Sequence, residues 1–114
     1  MPDTKIDVRK IQGMDKECVN ICHAMNQYRG IQTIESCCGH GKGDFCIFFY
    51  AETIEDLAPI LYYVDVCHSG TPGWKVIART DCAMSRPSFL LEGPSDEIGY
   101  KDAEIIAKLL MEHK

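Results

Sequence analysis

The sequence contains no hydrophobic run that could cross a bilayer. A transmembrane helix needs about 20 consecutive, mostly apolar residues, and no apolar stretch here approaches that length. The first residues, Met1-Pro2-Asp3-Thr4, also lack the basic and then apolar pattern of a secretion signal. The sequence therefore predicts a cytoplasmic protein with no membrane partner.

The chain also lacks an excess of positive charge. It has 12 Lys and Arg residues against 17 Asp and Glu residues, which gives a net charge of −5 at pH 7. Because duplex nucleic acid is bound through a basic surface that neutralises phosphates, DNA and RNA duplexes are not expected partners. A local group of cations could still bind a small anion. The candidates for such a group are His40, Lys42, Arg79 and Arg86.

The seven cysteines include no CxxC pair, the spacing most typical of structural zinc sites. Their odd number does not suit a disulfide framework either. If the strand continues through Cys37 and Cys38, their side chains point to opposite faces, and at most one of them can share a site with His40. The sequence therefore predicts no bound metal and no other cofactor. The alternative, a thiol or zinc site, would draw on Cys37, Cys38, His40, Cys46, Cys67, His68 and Cys82.

Length and periodicity predict one α+β domain over residues 1–114, in the element order βαββαββα. The expected fold is a two-layer sandwich, ferredoxin-like or related, with helices on one face of a mainly antiparallel sheet. A unit of one helix and one hairpin occurs twice, at residues 15–51 and 56–92, so the two hairpin turns could lie at one end of the sheet. The predicted strands are Ile6–Ile11 at an edge, Ile31–Cys38, Phe45–Ala51 with both faces covered, Trp74–Thr80 and Ser88–Glu92. The predicted helices are Asp15–Tyr28, one that Thr53 or preferably Asp56 caps, and one from about Tyr100 to His113.

A glycine-rich turn between two predicted strands, from Glu35 to Asp44, is the most informative segment. Glycine at every second position permits positive φ angles and lets several backbone N–H groups point toward one ligand. Such a turn can hold an anion, although a solvated hairpin loop has the same composition. The predicted ligand-binding residues are Cys38, Gly39, His40, Gly41, Lys42, Gly43 and Arg79.

A cysteine-dependent enzyme is an alternative for the same turn. Cys38 would be the nucleophile, His40 or His68 the base, and Asp44 or Asp81 the group that orients the imidazole. The pattern does not require catalysis, and no catalytic residue is assigned. Cys18 and Cys22 lie on the apolar face of the first predicted helix and are expected in the core. Tyr62, Tyr63 and Trp74 are expected to pack in the core or at a subunit interface.

Two segments resemble known families. The string from Ile31 to Gly41 is similar to that of small uncharacterised proteins of bacteriophages and prophages. Residues 17–50, with Asn26, Thr33 and Ser36-Cys37-Cys38-Gly39, resemble in part the T-x-x-S-C-x-G segment of the wybutosine-synthesis tRNA methyltransferase family, which carries arginine at the position of His40. The second resemblance implies RNA and S-adenosylmethionine.

The phage resemblance implies a protein that acts by binding host factors. One such group, the Thoeris anti-defence proteins, sequesters cyclic nucleotide signals in oligomers. The sequence therefore predicts a non-enzymatic homo-oligomer that holds a small anionic ligand, such as a cyclic nucleotide, at the glycine turn. The alternatives are the thiol or zinc site, the cysteine-dependent enzyme, and a protein-interaction module that uses the uncovered face of the sheet.

Overall fold

The chain folds as an α+β domain in the computed structural model, which describes residues 7–67, 73–79 and 87–114. The described elements follow the order αββαββα. They are α1 (Lys16–Asn26), β1 (Ile31–Cys37), β2 (Phe45–Ala51), α2 (Ala58–Cys67), β3 (Lys75–Ala78), β4 (Ser88–Gly93) and α3 (Glu97–Glu112). None of the helices in these ranges is long and apolar enough to cross a membrane.

The first predicted strand is wrong over the residues that the structure describes. Val8–Lys10 form a short 3-10 helix, which begins where the Asp7 side chain accepts the backbone N–H of Arg9 at 3.0 Å. A side chain that satisfies backbone donors so locally competes with strand pairing. Val8 is the one residue of this helix that is buried. The apolar residue Val8 therefore reflects one buried contact and not a strand, and Ile6 lies outside the described residues.

The four strands form one antiparallel sheet in the order β1-β2-β4-β3. Burial alternates along β2, where Phe45, Ile47, Phe49 and Ala51 are buried and the residues between them are half-buried. The buried set shares one hydrophobic core with buried residues of the three helices, and α1 and α2 both pack on α3. The prediction that β2 is covered on both faces is therefore wrong, and the face away from the helices is partly exposed.

A bulge interrupts the pairing of β1 with β2 between Thr33 and Glu35. At this point Asn26, the last residue of α1, accepts the Thr33 backbone N–H at 2.8 Å and donates to the Thr33 hydroxyl at 2.8 Å. Because the Asn26 side chain satisfies a backbone donor of an edge strand, α1 and the strand edge are held together.

The predicted helix starts need two corrections. Thr53, and not Asp56, is the capping residue before α2, since its hydroxyl accepts the Asp56 N–H while Asp56 reaches back to the Thr53 N–H. This reciprocal pair is a capping box. The last helix begins at Glu97, three residues before Tyr100, because Asp96 accepts the Gly99 N–H at 2.7 Å.

The two hairpin turns lie at opposite ends of the sheet, which corrects the expectation that they meet. The first turn joins β1 to β2 beside Phe45, whose partner in β4 is Gly93. The ends of β3 and β4 that lead into residues 80–86, which lie outside the described part of the chain, are beside the other end of β2, where the Arg79 N–H bonds the Ser88 carbonyl. The cause is the antiparallel pairing of β2 with β4, which inverts the second helix–hairpin unit relative to the first.

Candidate functional site

The glycine turn is a tight left-handed segment and not an open loop. Gly39, His40 and Gly41 have φ angles of 79°, 51° and 77° within a single 3-10 turn. A left-handed residue with a Cβ costs roughly 1–2 kcal/mol, so His40 needs support from its surroundings. The support comes from three sides: the end of β1, the start of α1 and the segment before α3.

Ser95 and Tyr100 hold the turn against the start of α3. The Ser95 hydroxyl donates to the Cys38 carbonyl at 2.6 Å and accepts the Gly41 N–H at 2.8 Å. The Tyr100 hydroxyl also reaches the Cys38 carbonyl, at 3.2 Å. A Cβ on Gly39 would lie 2.6 Å from Ser95 Oγ, so this contact requires glycine.

Every backbone N–H from position 39 to position 43 has a partner within the chain. Two of them donate to cysteine sulfurs, one to a hydroxyl and two to a single carbonyl. An anion would have to displace these contacts, so the internal pairing weighs against capture by backbone donors. The bonds are Gly39 N to Cys37 Sγ at 3.4 Å, His40 N to Cys38 Sγ at 3.4 Å, Gly41 N to Ser95 Oγ at 2.8 Å, and Lys42 N and Gly43 N to Gly39 O at 2.9 and 3.0 Å.

A carboxylate, a thiol and an imidazole converge beside this turn. Asp15, Cys37 and His40 each offer a donor atom, and the three atoms lie within 4.8 Å of one another. Asp15 Oδ2 is 3.8 Å from His40 Nε2 and accepts the Cys38 N–H at 3.0 Å. The Cys38 sulfur is a fourth neighbour, at 3.7 Å from His40 Nδ1.

The two vicinal cysteines do not point to opposite faces as an extended strand would require. The strand ends at Cys37, and Cys38 has φ −76° and ψ −5°, a helical conformation. The turn of the backbone leaves both sulfurs beside the same pair of residues: Cys37 Sγ lies within 4.8 Å of the Asp15 carboxylate, and Cys38 Sγ lies 3.7 Å from His40 Nδ1. The end of the strand therefore removes the main objection to a shared thiol site.

Electrostatics distinguish the carboxyl group from the buried thiol. The Cys38 N–H bond to Asp15 is the main reason that the pKa of this carboxyl is lowered, so Asp15 is ionised at neutral pH. Burial is the main reason that the pKa of the Cys38 thiol is raised. A reactive cysteine needs the opposite shift. Cys38 is thus a poor nucleophile, although His40 and Asp15 are arranged beside it.

The structure brings most of the predicted binding residues together but separates one of them. Cys38, Gly39, His40, Gly41, Lys42 and Gly43 form the turn, with Lys42 exposed. Arg79 lies near the other end of β2, with its guanidinium carbon 4.3 Å above the centre of the Phe48 ring. It therefore contacts the open face of the sheet and not the turn. Arg86, His68, Asp81, Cys82 and the side chain of Cys67 lie outside the described part of the chain.

The aromatic candidates have separate positions. Trp74 packs on Phe45 at 5.4 Å between ring centres, which confirms a core contact. Tyr63 stacks on His113 at 5.3 Å, whereas the Tyr62 side chain is 61% exposed. Cys18 and Cys22 are fully buried, as the periodicity of α1 predicts.

Three residues that build the candidate site were missed at the level of the sequence. Asp15 stands just before α1, where an aspartate is ordinarily interpreted as a helix cap. It makes no such cap, and its carboxylate serves the Cys38 N–H instead. Ser95 and Tyr100 come from a segment more than 50 residues away. Only the position of Asp15 before a helix carried any sequence signal.

A cavity of about 490 Å³ adjoins the site along the edge of β1. Its lining includes Ile11, Met14 and Asn26 together with Cys37, Cys46 and Phe48. Cys37 therefore belongs both to the donor cluster and to this cavity.

Known proteins supply no family for this geometry. A scan against models of protein families and searches of curated proteins and of solved structures each find no match. The phage and methyltransferase resemblances stay predictions, and the residues of the site are the basis for a functional proposal.

Proposed function

We propose that this chain is a metal-binding protein whose ligands are Asp15, Cys37 and His40. The observation that carries the proposal is the convergence of their three donor atoms within 4.8 Å. Bond lengths to zinc place the donors of a tetrahedral site roughly 3.3–3.8 Å apart. The Asp15 Oδ2 to His40 Nε2 distance is 3.8 Å, so these two atoms would have to approach by about 0.5 Å to reach the spacing of an oxygen and a nitrogen ligand. Small side-chain rotations would bring the Cys37 sulfur to the same spacing.

Charge supports a cation at this place more than a nucleophile. The Asp15 carboxylate is held ionised by the Cys38 N–H, and the Cys37 sulfur lies within 4.8 Å of it. A thiolate beside that carboxylate would be repelled, and burial adds to the cost for Cys38. A divalent cation would offset both penalties, because metal ligands bind in their deprotonated forms. The same environment disfavours a cysteine-dependent enzyme.

The mixture of donors suggests the class of metal. One sulfur, one nitrogen and one carboxylate oxygen suit a borderline ion such as Zn²⁺. The His40 side chain is 68% exposed, so the site opens to solvent. A fourth position would be filled by the Cys38 sulfur or by an external ligand. The sequence-based expectation of no metal is thus replaced by this proposal.

The anionic-ligand hypothesis has less support from the same geometry. The backbone donors on which it depended are paired within the chain. The side chains of His40 and Lys42 are the cationic groups left in the turn itself. A retained nucleotide is accordingly a distinct outcome of the test below, and it would favour that hypothesis over the metal.

The test measures the metal content and the zinc affinity of the full chain, purified without a chelator. Native mass spectrometry reports the bound metal, and competition with a colorimetric zinc chelator reports affinity. Asp15→Asn, Cys37→Ser and His40→Ala should each weaken zinc binding. Asp44→Asn is the matched carboxylate control, because Asp44 is exposed in the same turn and outside the donor cluster. His113→Ala is the histidine control, at the far end of α3.

Substitution with Co²⁺ gives a second readout. A thiolate-to-cobalt charge-transfer band should appear in the parent protein and in both controls, and it should be lost in Cys37→Ser if the fourth ligand is external or fall to about half if the fourth ligand is Cys38. Equal zinc affinity in the parent and in all three ligand variants would overturn the proposal. A Cys38→Ser variant that also loses affinity would identify Cys38 as the fourth ligand.

A further inference from the structure

Two half-buried cysteines face each other across the first hairpin. Cys37 of β1 and Cys46 of β2 are directly paired in the sheet register. Directly opposite residues of an antiparallel pair share a face of the sheet and have Cα atoms roughly 4.5–5.5 Å apart. A disulfide requires a Cα separation of about 4.4–6.8 Å. The backbone already has the spacing that a bond between these two sulfurs needs.

The surroundings leave this pair accessible to a small oxidant. Both residues line the cavity of about 490 Å³ beside β1. Both are free thiols in the structure. Cys46 occupies a β2 position between the buried residues Phe45 and Ile47, so it lies on the face away from the helices.

The other described cysteines are less suited to such a bond. Cys18 and Cys22 lie four positions apart on α1 and are fully buried beneath the helix layer. Cys38 is only 4% exposed. Its sulfur accepts the His40 N–H within the turn and has no cross-strand partner in the register.

We propose that Cys37 and Cys46 are a reversible redox pair that a peroxide converts into a cross-strand disulfide. The sulfur of one cysteine attacks a peroxide oxygen and becomes a sulfenic acid, while the first water, or an alcohol from an organic peroxide, leaves. The second sulfur then attacks the sulfenic sulfur, forms the S–S bond and releases a water molecule. Two thiols are oxidised by two electrons in total, and one peroxide is reduced. A dithiol reductant reverses the change by exchange.

This pair would make metal binding depend on redox state, a consequence that rests on the proposed function. The Cys37 sulfur cannot bind zinc and form a disulfide at the same time. Oxidation would remove one of three ligands and should release the metal. Bound zinc should in turn slow the oxidation of Cys37.

The experiment oxidises the reduced, chelator-treated full chain with hydrogen peroxide, blocks the remaining thiols and maps the tryptic peptides by mass spectrometry. Trypsin cleaves after Arg29, Lys42 and Lys75, so Cys37 and Cys46 fall in different peptides, 30–42 and 43–75. Because these peptides also contain Cys38 and Cys67, variants assign the bond. The cross-linked pair of peptides should vanish in Cys37→Ser and Cys46→Ser and persist in Cys38→Ser and Cys67→Ser.

Two results would overturn the inference. One is a closed bond within peptide 30–42, which would join the vicinal cysteines. The other is a cross-link that persists in Cys46→Ser. Far-ultraviolet circular dichroism of each variant checks that loss of the cross-link does not reflect unfolding.

Zinc release separates this inference from the proposed function. Peroxide should release zinc from the loaded parent protein and leave more of it bound in Cys46→Ser, which keeps all three ligands. A chain that binds no zinc yet forms the Cys37–Cys46 bond would refute the metal site and leave the redox pair standing. A chain that binds zinc but forms no Cys37–Cys46 bond would refute the redox pair and leave the metal site standing.

Discussion

The Cys38 carbonyl has two side-chain donors, and removing both should cost more than the sum of removing each. Ser95 Oγ lies 2.6 Å and the Tyr100 hydroxyl 3.2 Å from this oxygen. In Ser95→Ala the tyrosine can still donate to it, and in Tyr100→Phe the serine can. Tyr100→Phe also keeps the ring that packs near Phe45. Only the double variant leaves the acceptor of a buried residue without a donor.

Two opposing effects set the magnitude of this coupling. Each lost neutral hydrogen bond costs about 0.5–1.5 kcal/mol, and an unsatisfied buried acceptor costs about 1–3 kcal/mol. The single Tyr100 hydroxyl proton is shared between the Cys38 carbonyl and Ser95 Oγ, which is 3.1 Å away, so the contact between the two hydroxyls is lost in either single variant and is lost only once in the double variant. That shared loss subtracts about 0.5–1.5 kcal/mol from the coupling. The orphaned carbonyl costs more than this, and we expect a coupling of about 1 kcal/mol beyond additivity.

Urea unfolding of the four proteins measures this coupling, with the fluorescence of Trp74, the single tryptophan, as the signal. A matched cycle pairs Ser95→Ala with Tyr28→Phe, because Tyr28 donates to the Leu110 carbonyl at 2.8 Å, away from the turn. That control cycle should be additive within about 0.5 kcal/mol. Additive or less-than-additive costs for the Ser95 and Tyr100 pair would refute the reasoning.

Three further predictions concern the turn and the buried thiols. Gly39→Ala should lower the free energy of unfolding by about 2 kcal/mol or more, since its Cβ would lie 2.6 Å from a side-chain oxygen. Gly41→Ala, whose Cβ would meet open space, should lower it by only about 1–2 kcal/mol. Equal losses in urea titrations would contradict this prediction. The lowered pKa of Asp15 contributes stability above the ordinary carboxyl value of 3.8 that is lost as pH falls through the folded-state pKa. Asp15→Asn should therefore flatten the acid side of the stability profile, and an unchanged slope would count against the Cys38 N–H bond as its cause. Burial raises the pKa of the Cys18 and Cys22 thiols to about 12. Iodoacetamide at pH 8 should therefore label these thiols far more slowly in the native protein than in urea. Similar labelling rates in the two conditions would disprove their burial.

The sequence predicted the elements whose signal is periodic. The i, i+4 spacing of Cys18 and Cys22 marked the buried face of α1, and the apolar run from Phe45 marked β2. The glycines between two strands correctly indicated a hairpin turn. Such signals are local, because helix and strand faces repeat every few residues. The first strand was wrong because two alternating residues cannot be distinguished from a turn that Asp7 stabilises.

The site itself was only partly predictable. Cys37, Cys38 and His40 are conspicuous in the sequence, but their usefulness depends on where the strand ends. Asp15 joins them from more than 20 residues earlier in the chain, with α1 and β1 in between. Arg79 was assigned to the turn because both hairpins carry polar turns, and the antiparallel pairing of β2 with β4 sends the second hairpin the other way. Pairing partners between distant strands leave no local mark in a sequence.

The contacts of the Cys38 backbone N–H and carbonyl also determine at what stage of protein synthesis the site can form. Its N–H is held by Asp15 at the start of the first long helix, and its carbonyl is held by residues at the start of the last one. A chain emerging from the ribosome has both cysteines and the histidine long before it has Ser95 and Tyr100. The turn therefore acquires its final shape only after α3 has docked, and the competence of this site reports that the last helix of the domain is in place.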